Sequence, residues 1–222
     1  LLEVDVLYTS DVHGHLSQDD ATFLNPNFPP PLGGAASIAD YIRGVRDAAA
    51  REGRAVLLFD QGDIFQGTPL GINTKGTAVF EWMNEIGYTA TVLGNHDFDL
   101  GWENAKRLAD MAQFPVLGGN ILDAATGKTV DWVDPSFFVQ VEDVKIAVVG
   151  FITESTANMS FGKNLEGIEF APVHEVLGPE VERVRGEGAD LVFALVHAGL
   201  PYKPELSNEY RKMLEREAQG GL

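Results

Sequence analysis

The sequence predicts an α/β fold on two observations. Short apolar, β-branched runs alternate along the chain with segments of helical periodicity. Many of these runs are apolar at successive positions, the pattern of strands covered on both faces.

Taken in order, Val4 to Tyr8 reads as the first strand. Ser17 to Pro31 holds four prolines and little periodicity, which predicts a surface loop. Ala36 to Gly53 predicts a helix, with Ile38, Tyr41, Ile42 and Val45 at helical spacing and Gly53 as its stop. Ala55 to Phe59 is the next strand, and Thr77 to Ile86 a helix ended by Gly87. Thr89 to Leu93 predicts a strand, Glu103 to Gln113 a helix, and Pro115 to Leu117 a short strand. Phe137 to Val141 and Lys145 to Phe151 read as two strands joined by a turn at Glu142-Asp143. Val173 to Gly186 predicts a helix, Asp190 to Val196 a buried strand, and Glu205 to Ala218 a last amphipathic helix. No repeat, low-complexity segment or linker divides the 222 residues, so one large domain is expected.

Composition excludes several functions. The formal charge is -17, from 33 acids against 16 bases, which argues against a nucleic-acid partner. With no cysteine, the chain has no disulfide, no zinc-thiolate site and no cysteine nucleophile. No run approaches the roughly 18 to 20 apolar residues that span a bilayer. The chain opens Leu1-Leu2-Glu3 without a signal-peptide pattern, and a processed or trimmed N-terminus is the expectation.

Four polar clusters carry the chemistry, each directly after an apolar strand. They are Asp11-Val12-His13-Gly14-His15, Asp60-Gln61-Gly62-Asp63, Gly94-Asn95-His96-Asp97-Phe98-Asp99 and His197-Ala198-Gly199. Sites in open α/β sheets form outside the carboxyl ends of the strands, so clusters far apart in sequence can converge there. Asp and Asn offer hard oxygen ligands and His an imidazole nitrogen, a mixture suited to Zn, Mn, Fe or Ni. A carboxylate such as Asp63 can bridge two ions through its two oxygens, and paired ions about 3.5 to 4 Å apart are the usual clamp for displacement at phosphorus.

Asp-x-His, Gly-Asp, Gly-Asn-His-Asp and the later His resemble the motifs of the calcineurin-like metallophosphoesterase superfamily. The likeness is closest to its 5'-nucleotidase family. It is carried by Gly62-Asp63-Ile64-Phe65-Gln66-Gly67-Thr68-Pro69, by Met83-Asn84-Glu85-Ile86-Gly87-Tyr88, and by Gly94-Asn95-His96-Asp97-Phe98-Asp99-Leu100-Gly101. The resemblance implies a metallophosphatase-type sandwich of mixed β-sheets flanked by helices. It implies two divalent metal ions, with Asp11 and His13 on the first, Asn95 and His197 on the second, and Asp63 between them. A metal-activated hydroxide would be the nucleophile. His96 would stabilise charge on the phosphoryl group or leaving group, and Asp99 would orient His96. The implied function is hydrolysis of a small phosphate ester, first a nucleoside 5'-monophosphate. A 2',3'-cyclic phosphodiester, a UDP-sugar and a sulfur ester use related apparatus. A periplasmic or extracellular location follows by the same likeness.

Two departures stand out. The family commonly has Glu where this chain has Asp97, with little effect expected. The family also closes its site with Gly-His-x-His, yet no histidine follows His197. Residues 1–222 are therefore expected to form a catalytic domain lacking that portion and the family's C-terminal substrate domain. A non-catalytic metal- or ligand-binding fragment is the reading from a different class. Other polar and aromatic residues carry plainer expectations. His15 orders the first loop, and His174 lies on the surface. Asp60 either supports the ligands or caps a helix. Phe65, Trp82 and Trp102 pack, and Asn120 sits in a turn.

Overall fold

A computed structural model of the chain describes residues 2–199. The helix expected over Glu205 to Ala218 lies outside the described residues. The elements run β1 (Val4–Thr9), β2 (Asp19–Asp20), β3 (Pro31–Leu32), α1 (Ala35–Glu52), β4 (Ala55–Asp60), α2 (Pro69–Asn73) and α3 (Thr77–Ile86). There follow β5 (Ala90–Val92), a 3-10 turn at Asn95–Phe98, α4 (Trp102–Met111), β6 (Val116–Leu117), β7 (Ile121–Asp123), β8 (Ser136–Val141) and β9 (Val144–Ile152). The described chain closes with α5 (Thr156–Met159), a second 3-10 turn at Gly162–Asn164, β10 (Ile168–Phe170), α6 (Val173–Gly186) and β11 (Leu191–His197).

Two sheets form the centre. The first is wholly parallel, in the order β1-β4-β5-β6. The second is mixed, with β9 parallel to β11 on one side and antiparallel to β8 on the other. Small antiparallel pairs, β7 with β10 and β2 with β3, lie outside them.

Alternation along the central strands builds the layers, because successive side chains leave a strand on opposite faces. In β4, Leu58 points to the apolar faces of α1, α3 and α4, where it meets Ile42, Val79, Phe80, Met83 and Leu108. Its neighbours Leu57 and Phe59 point the other way, against Ile146 and Val148 of β9. Ala147, Val149 and Phe151 of β9 face outward onto Val184 and Val181 of α6. The result is a four-layer sandwich of helices, sheet, sheet and helix. Every internal strand is covered twice, so its sequence reads as an unbroken apolar run.

The expected elements appear with small shifts at their ends. Gly53 and Gly87 stop α1 and α3 in the left-handed conformation, at φ 70° and 73°. Glu142-Asp143 forms the β8–β9 turn, with Val141 paired to Val144. One expectation is corrected: the last strand is not buried. Leu195 alone in β11 is fully buried, and Leu191 is 46% exposed. Among the described residues β11 stands at the edge of its sheet: Phe193 and Leu195 pack between the sheets and Val192 and Val196 toward α6, but no strand lies along its outer edge. The surface loop is as expected apart from the two short strands β2 and β3. The pairs β7 and β10 were too short to show a period.

Gly150 sits where the two sheets approach most closely. A Cβ there would lie 2.2 Å from Leu117 Cβ and 2.7 Å from Val92 Cγ1. Gly150→Ala is expected to lower stability in urea titrations by about 1 to 3 kcal/mol, the usual cost of overpacking. Gly44→Ala, at an exposed position of α1 with nothing within 4 Å of the new methyl, should gain about 0.5 to 1 kcal/mol. Equal effects from the two substitutions would refute close sheet contact at Gly150.

Candidate metal centre

Because β1, β4 and β5 are parallel neighbours, their carboxyl ends share one edge, and the loops that follow them touch. The loop after β1 is zipped to the loop after β4 by backbone hydrogen bonds. Asp11 N donates to Gly62 O at 3.0 Å, His13 N to Asp63 O at 2.9 Å, and Gly14 N to Ile64 O at 2.9 Å. This pairing holds Asp11, His13 and Asp63 at φ 54°, 50° and 55°. Left-handed backbone costs a non-glycine residue roughly 1 to 2 kcal/mol, and three instances at one locus mark a constrained site. His197, the last residue of β11, reaches the same place from the second sheet.

The loops enclose a cavity of about 790 Å³ lined by Asp11, His13, Asp63, Asn95, His96 and His197. Six of the seven residues expected from the sequence thus converge, and Asp99 stands behind His96. Asp63 Oδ2 lies 3.7 Å from His13 Nε2 and 3.5 Å from His197 Nε2. His13 Nε2 is 3.8 Å from Asp11 Oδ1, and His197 Nε2 is 3.1 Å from Asn95 Oδ1. Donor atoms of Asp11, Asp63 and His197 all fall within 4.8 Å of one another, a group that could hold a metal ion. Asp63 Oδ1 is occupied, accepting the backbone N–H of His96 at 2.8 Å. Oδ2 is the carboxylate atom of Asp63 that faces both imidazoles.

Both imidazoles are pinned from behind. His13 Nδ1 lies 2.6 Å from Gln66 O, and His197 Nδ1 lies 2.7 Å from Gln61 O. A carbonyl accepts only, so each Nδ1 carries the proton and each Nε2 turns its lone pair inward, the usual arrangement of metal-ligating histidines. The residues present therefore fit a divalent cation.

The charges agree. Burial opposes the imidazolium of His197, but the hydrogen bond and charge of Asp63 outweigh it and push its pKa up to about 9. Burial likewise opposes ionisation of Asp63, yet its bonds and charge interaction with His197, with those of His96 added, hold its pKa below the ordinary value. A proton settles on His197 where acceptors converge, the behaviour of a site made for a cation. His96 is raised too: burial opposes its charge, while Asp99, 2.8 Å from Nδ1, and Asp63 favour it.

Beneath the ligands, Asp60 is fully buried. It accepts from Thr9 Oγ1 at 2.6 Å, from Thr91 Oγ1 at 3.0 Å and from Gly62 N at 2.9 Å. It caps no helix; it holds the turn that carries Asp63. Asn120 sits in the expected turn and is buried there, tying Ile152 N and O to Ala171 O. His15 is exposed, and His174 has a 78% exposed side chain. Phe65 is in the core, and Trp82 packs at its edge. Trp102 stacks on Trp132 beside a second cavity, whose Lys106 and Asp123 are already paired with Asp110 and Thr126.

Sequence reasoning missed the carbonyls of Gln61 and Gln66, which carry no side-chain signal. It missed the wall formed by Thr153, Ser155 and Met159. It also gave Asp97 no role, although an acid three residues after Gly94 matches a helix-start pattern. Asp97 is 1% exposed, and burial, then the charge of Asp63, push its pKa up to about 7.

Asp60 offers a test of this buried layer. Burial raises its pKa from 3.8 to about 6, against the opposing bonds from Thr9, Gly62 and Thr91. The folded chain then keeps a proton that the unfolded chain releases, so stability falls as pH rises from about 4 to 6, by about 3 kcal/mol. Asp60→Asn can keep all three partners and loses this dependence. In urea titrations with chelator, the variant should gain about 3 kcal/mol on wild type between pH 4 and pH 7; a constant difference would show that Asp60 does not titrate there.

A family model described as calcineurin-like phosphoesterase matches residues 4–216. The curated 5'-nucleotidase of Vibrio parahaemolyticus is 33% identical over 198 residues, 89% of this chain and 33% of the relative. The chain thus spans about a third of that relative's length. Among solved structures, sulfate thiohydrolase SoxB of Thermus thermophilus superposes with a TM-score of 0.81 at 23% identity, over 90% of this chain and 44% of the other. A 5'-nucleotidase precursor, also from Thermus thermophilus, gives 0.75 at 25% identity, over 87% of this chain and 37% of the other. The expected sandwich of sheets flanked by helices is the fold these structures share. From the sequence motifs to the layered fold to the match across residues 4–216, the findings agree that this chain belongs to the calcineurin-like phosphoesterase family.

Proposed function

We propose that this chain carries the metal-binding and catalytic part of a phosphate-ester hydrolase of the 5'-nucleotidase type. The observation that carries the reading is Asp63 Oδ2, set between two imidazole Nε2 atoms at 3.7 and 3.5 Å. Asp11 and His13 would hold one divalent ion, Asn95 and His197 a second, with Asp63 shared. Such ions, Mn, Zn, Fe or similar, supply Lewis acidity toward a phosphoryl oxygen and make water a better nucleophile.

The chain's own residues do the rest. His96 Nδ1 is committed to Asp99, which leaves Nε2 for the substrate. In the imidazolium form, which Asp99 and Asp63 favour, the N–H there meets charge developing on the phosphoryl or leaving oxygen, and a fixed donor of this kind is worth most in a dry, preorganised site. Asp99 is held in turn: its carbonyl accepts Asn164 Nδ2 at 2.8 Å. A water oxygen would bond to phosphorus as the bond to the ester oxygen breaks, and the departing oxygen takes a proton to balance the one water releases.

The substrate reading is a nucleoside 5'-monophosphate, supported by the name of the curated relative. Residues 1–222 form the metal-binding part of a longer protein in this reading, and substrate recognition falls to the remainder. The family resemblance proposes a periplasmic or extracellular location. Among the described residues no helix is long and apolar enough to cross a membrane.

The intact protein is expected to hydrolyse p-nitrophenyl phosphate and AMP and to lose turnover with chelator. Asp63→Asn keeps an oxygen for His96 N–H but puts an amide where Oδ2 stood; it should reduce turnover about a thousandfold or more. His96→Ala should reduce kcat by about 10² to 10⁴. A protein that binds no divalent ion and shows no turnover would leave a non-catalytic binding domain, and turnover indifferent to both substitutions would rule out this site as its source. Comparison of kcat/KM for AMP, a 2',3'-cyclic nucleotide and a UDP-sugar selects the substrate.

A further inference from the structure

The loops after β4 and β5 meet backbone to backbone. A Cβ on Gly94 would stand 2.2 Å from Asp63 N, and one on Gly62 would stand 2.5 Å from Gly94 N. Two carboxylates span this contact in opposite directions. Asp63 Oδ1 reaches across to accept His96 N at 2.8 Å, at the start of the second loop. Asp97 reaches back. Its Oδ2 accepts Gly94 N at 2.8 Å and Asp63 N at 3.1 Å, and its Oδ1 accepts Ile64 N at 2.9 Å. Both of its oxygens are thus committed to backbone, and it does not line the cavity.

We propose that Asp97 is a positioning residue for the metal centre, the return half of a cross-brace in which each carboxylate holds the other's loop. The proposal rests on the metal-site reading above. Asp63 has two demands on it: a left-handed backbone and a side chain with one oxygen tied and one aimed at two imidazoles. Free rotation about its side-chain bonds would let Oδ2 leave that line. Bonds to Asp63 N and Ile64 N fix the backbone from which the side chain springs. The bond to Gly94 N fixes the turn that presents both His96 N–H and Asn95. One residue thereby sets the relation of the shared ligand to a ligand of the second ion. Three N–H donors need acceptors on both oxygens of the side chain, which a carboxyl group offers and an amide does not.

Cobalt(II) titration of the intact protein tests this, read by visible absorption and by competition with a chromophoric chelator. Asp97→Asn keeps the size but sets an N–H₂ against backbone donors. It should bind Co²⁺ about 10 to 100 times more weakly, as for other residues that support ligands, and with a changed spectrum. Gly150→Ala, which disturbs packing between the sheets and touches neither loop, should keep the wild-type spectrum and affinity within about twofold, since it alters no ligand support. Wild-type affinity and spectrum in Asp97→Asn would overturn the proposal, as would equal weakening in Gly150→Ala. If Asp97→Asn does not fold, Asp97→Ser supplies the decision. It is smaller and sets no N–H₂ against the backbone donors, yet cannot reach all three, and wild-type affinity and spectrum would count against a positioning role. A wild-type protein that binds no Co²⁺ overturns the metal-site reading itself, a distinct result that also removes what Asp97 is proposed to position.

Discussion

Backbone pairing between the loop after β1 and the loop after β4 is the constraint on which the rest of the centre depends. Parallel strands that are hydrogen-bonded neighbours must end at the same edge. The three bonds from Asp11, His13 and Gly14 to Gly62, Asp63 and Ile64 continue that pairing past the strands. The price is left-handed backbone at three residues with side chains. What it secures is that Asp11, His13 and Asp63 turn toward one volume instead of alternating across a sheet.

The volume so formed is overloaded with acceptors. Asp63, Asp11 and Asn95 direct oxygens into it, and the two imidazoles are forced by Gln61 and Gln66 to point lone pairs the same way. Such an arrangement is unfavourable until a positive charge enters. The raised pKa of His197 and the lowered pKa of Asp63 are two signs of that one demand. Below the surface the demand is met by N–H and O–H donors: Asp60 is held by Thr9, Thr91 and Gly62, and Asp97 by Gly94, Asp63 and Ile64. Buried carboxylates with full sets of donors can carry rigid loops, whereas the same groups left unpaired would unravel them.

Much of this was legible in the chain. The long helices α1, α3 and α6 were readable because apolar spacing and glycine stops are local properties. The central strands were readable because double coverage writes itself as a run of Val, Leu and Phe. Strand β11 misled because a run tells of packing on both faces but not whether the strand stands at an edge of its sheet. Short pairs such as β7 with β10 left no mark, because three residues cannot establish a period. Asp97 was undervalued because two of its three partners are backbone N–H groups of residues some 30 positions earlier, and a backbone donor looks the same at every residue.

By itself the sequence determined the fold class, the strand ends that bear the chemistry and the residue types gathered there, since hydrophobic period and ligand chemistry belong to residues one at a time. Tertiary structure alone decided which atom of each residue faces the centre. Asp63 offers Oδ2 because His96 N–H has taken Oδ1. His13 and His197 offer Nε2 because carbonyls from other loops have taken Nδ1. Orientation of a side chain is set by what binds its other end, and that partner is brought near only when parallel strands bring distant loops to one edge.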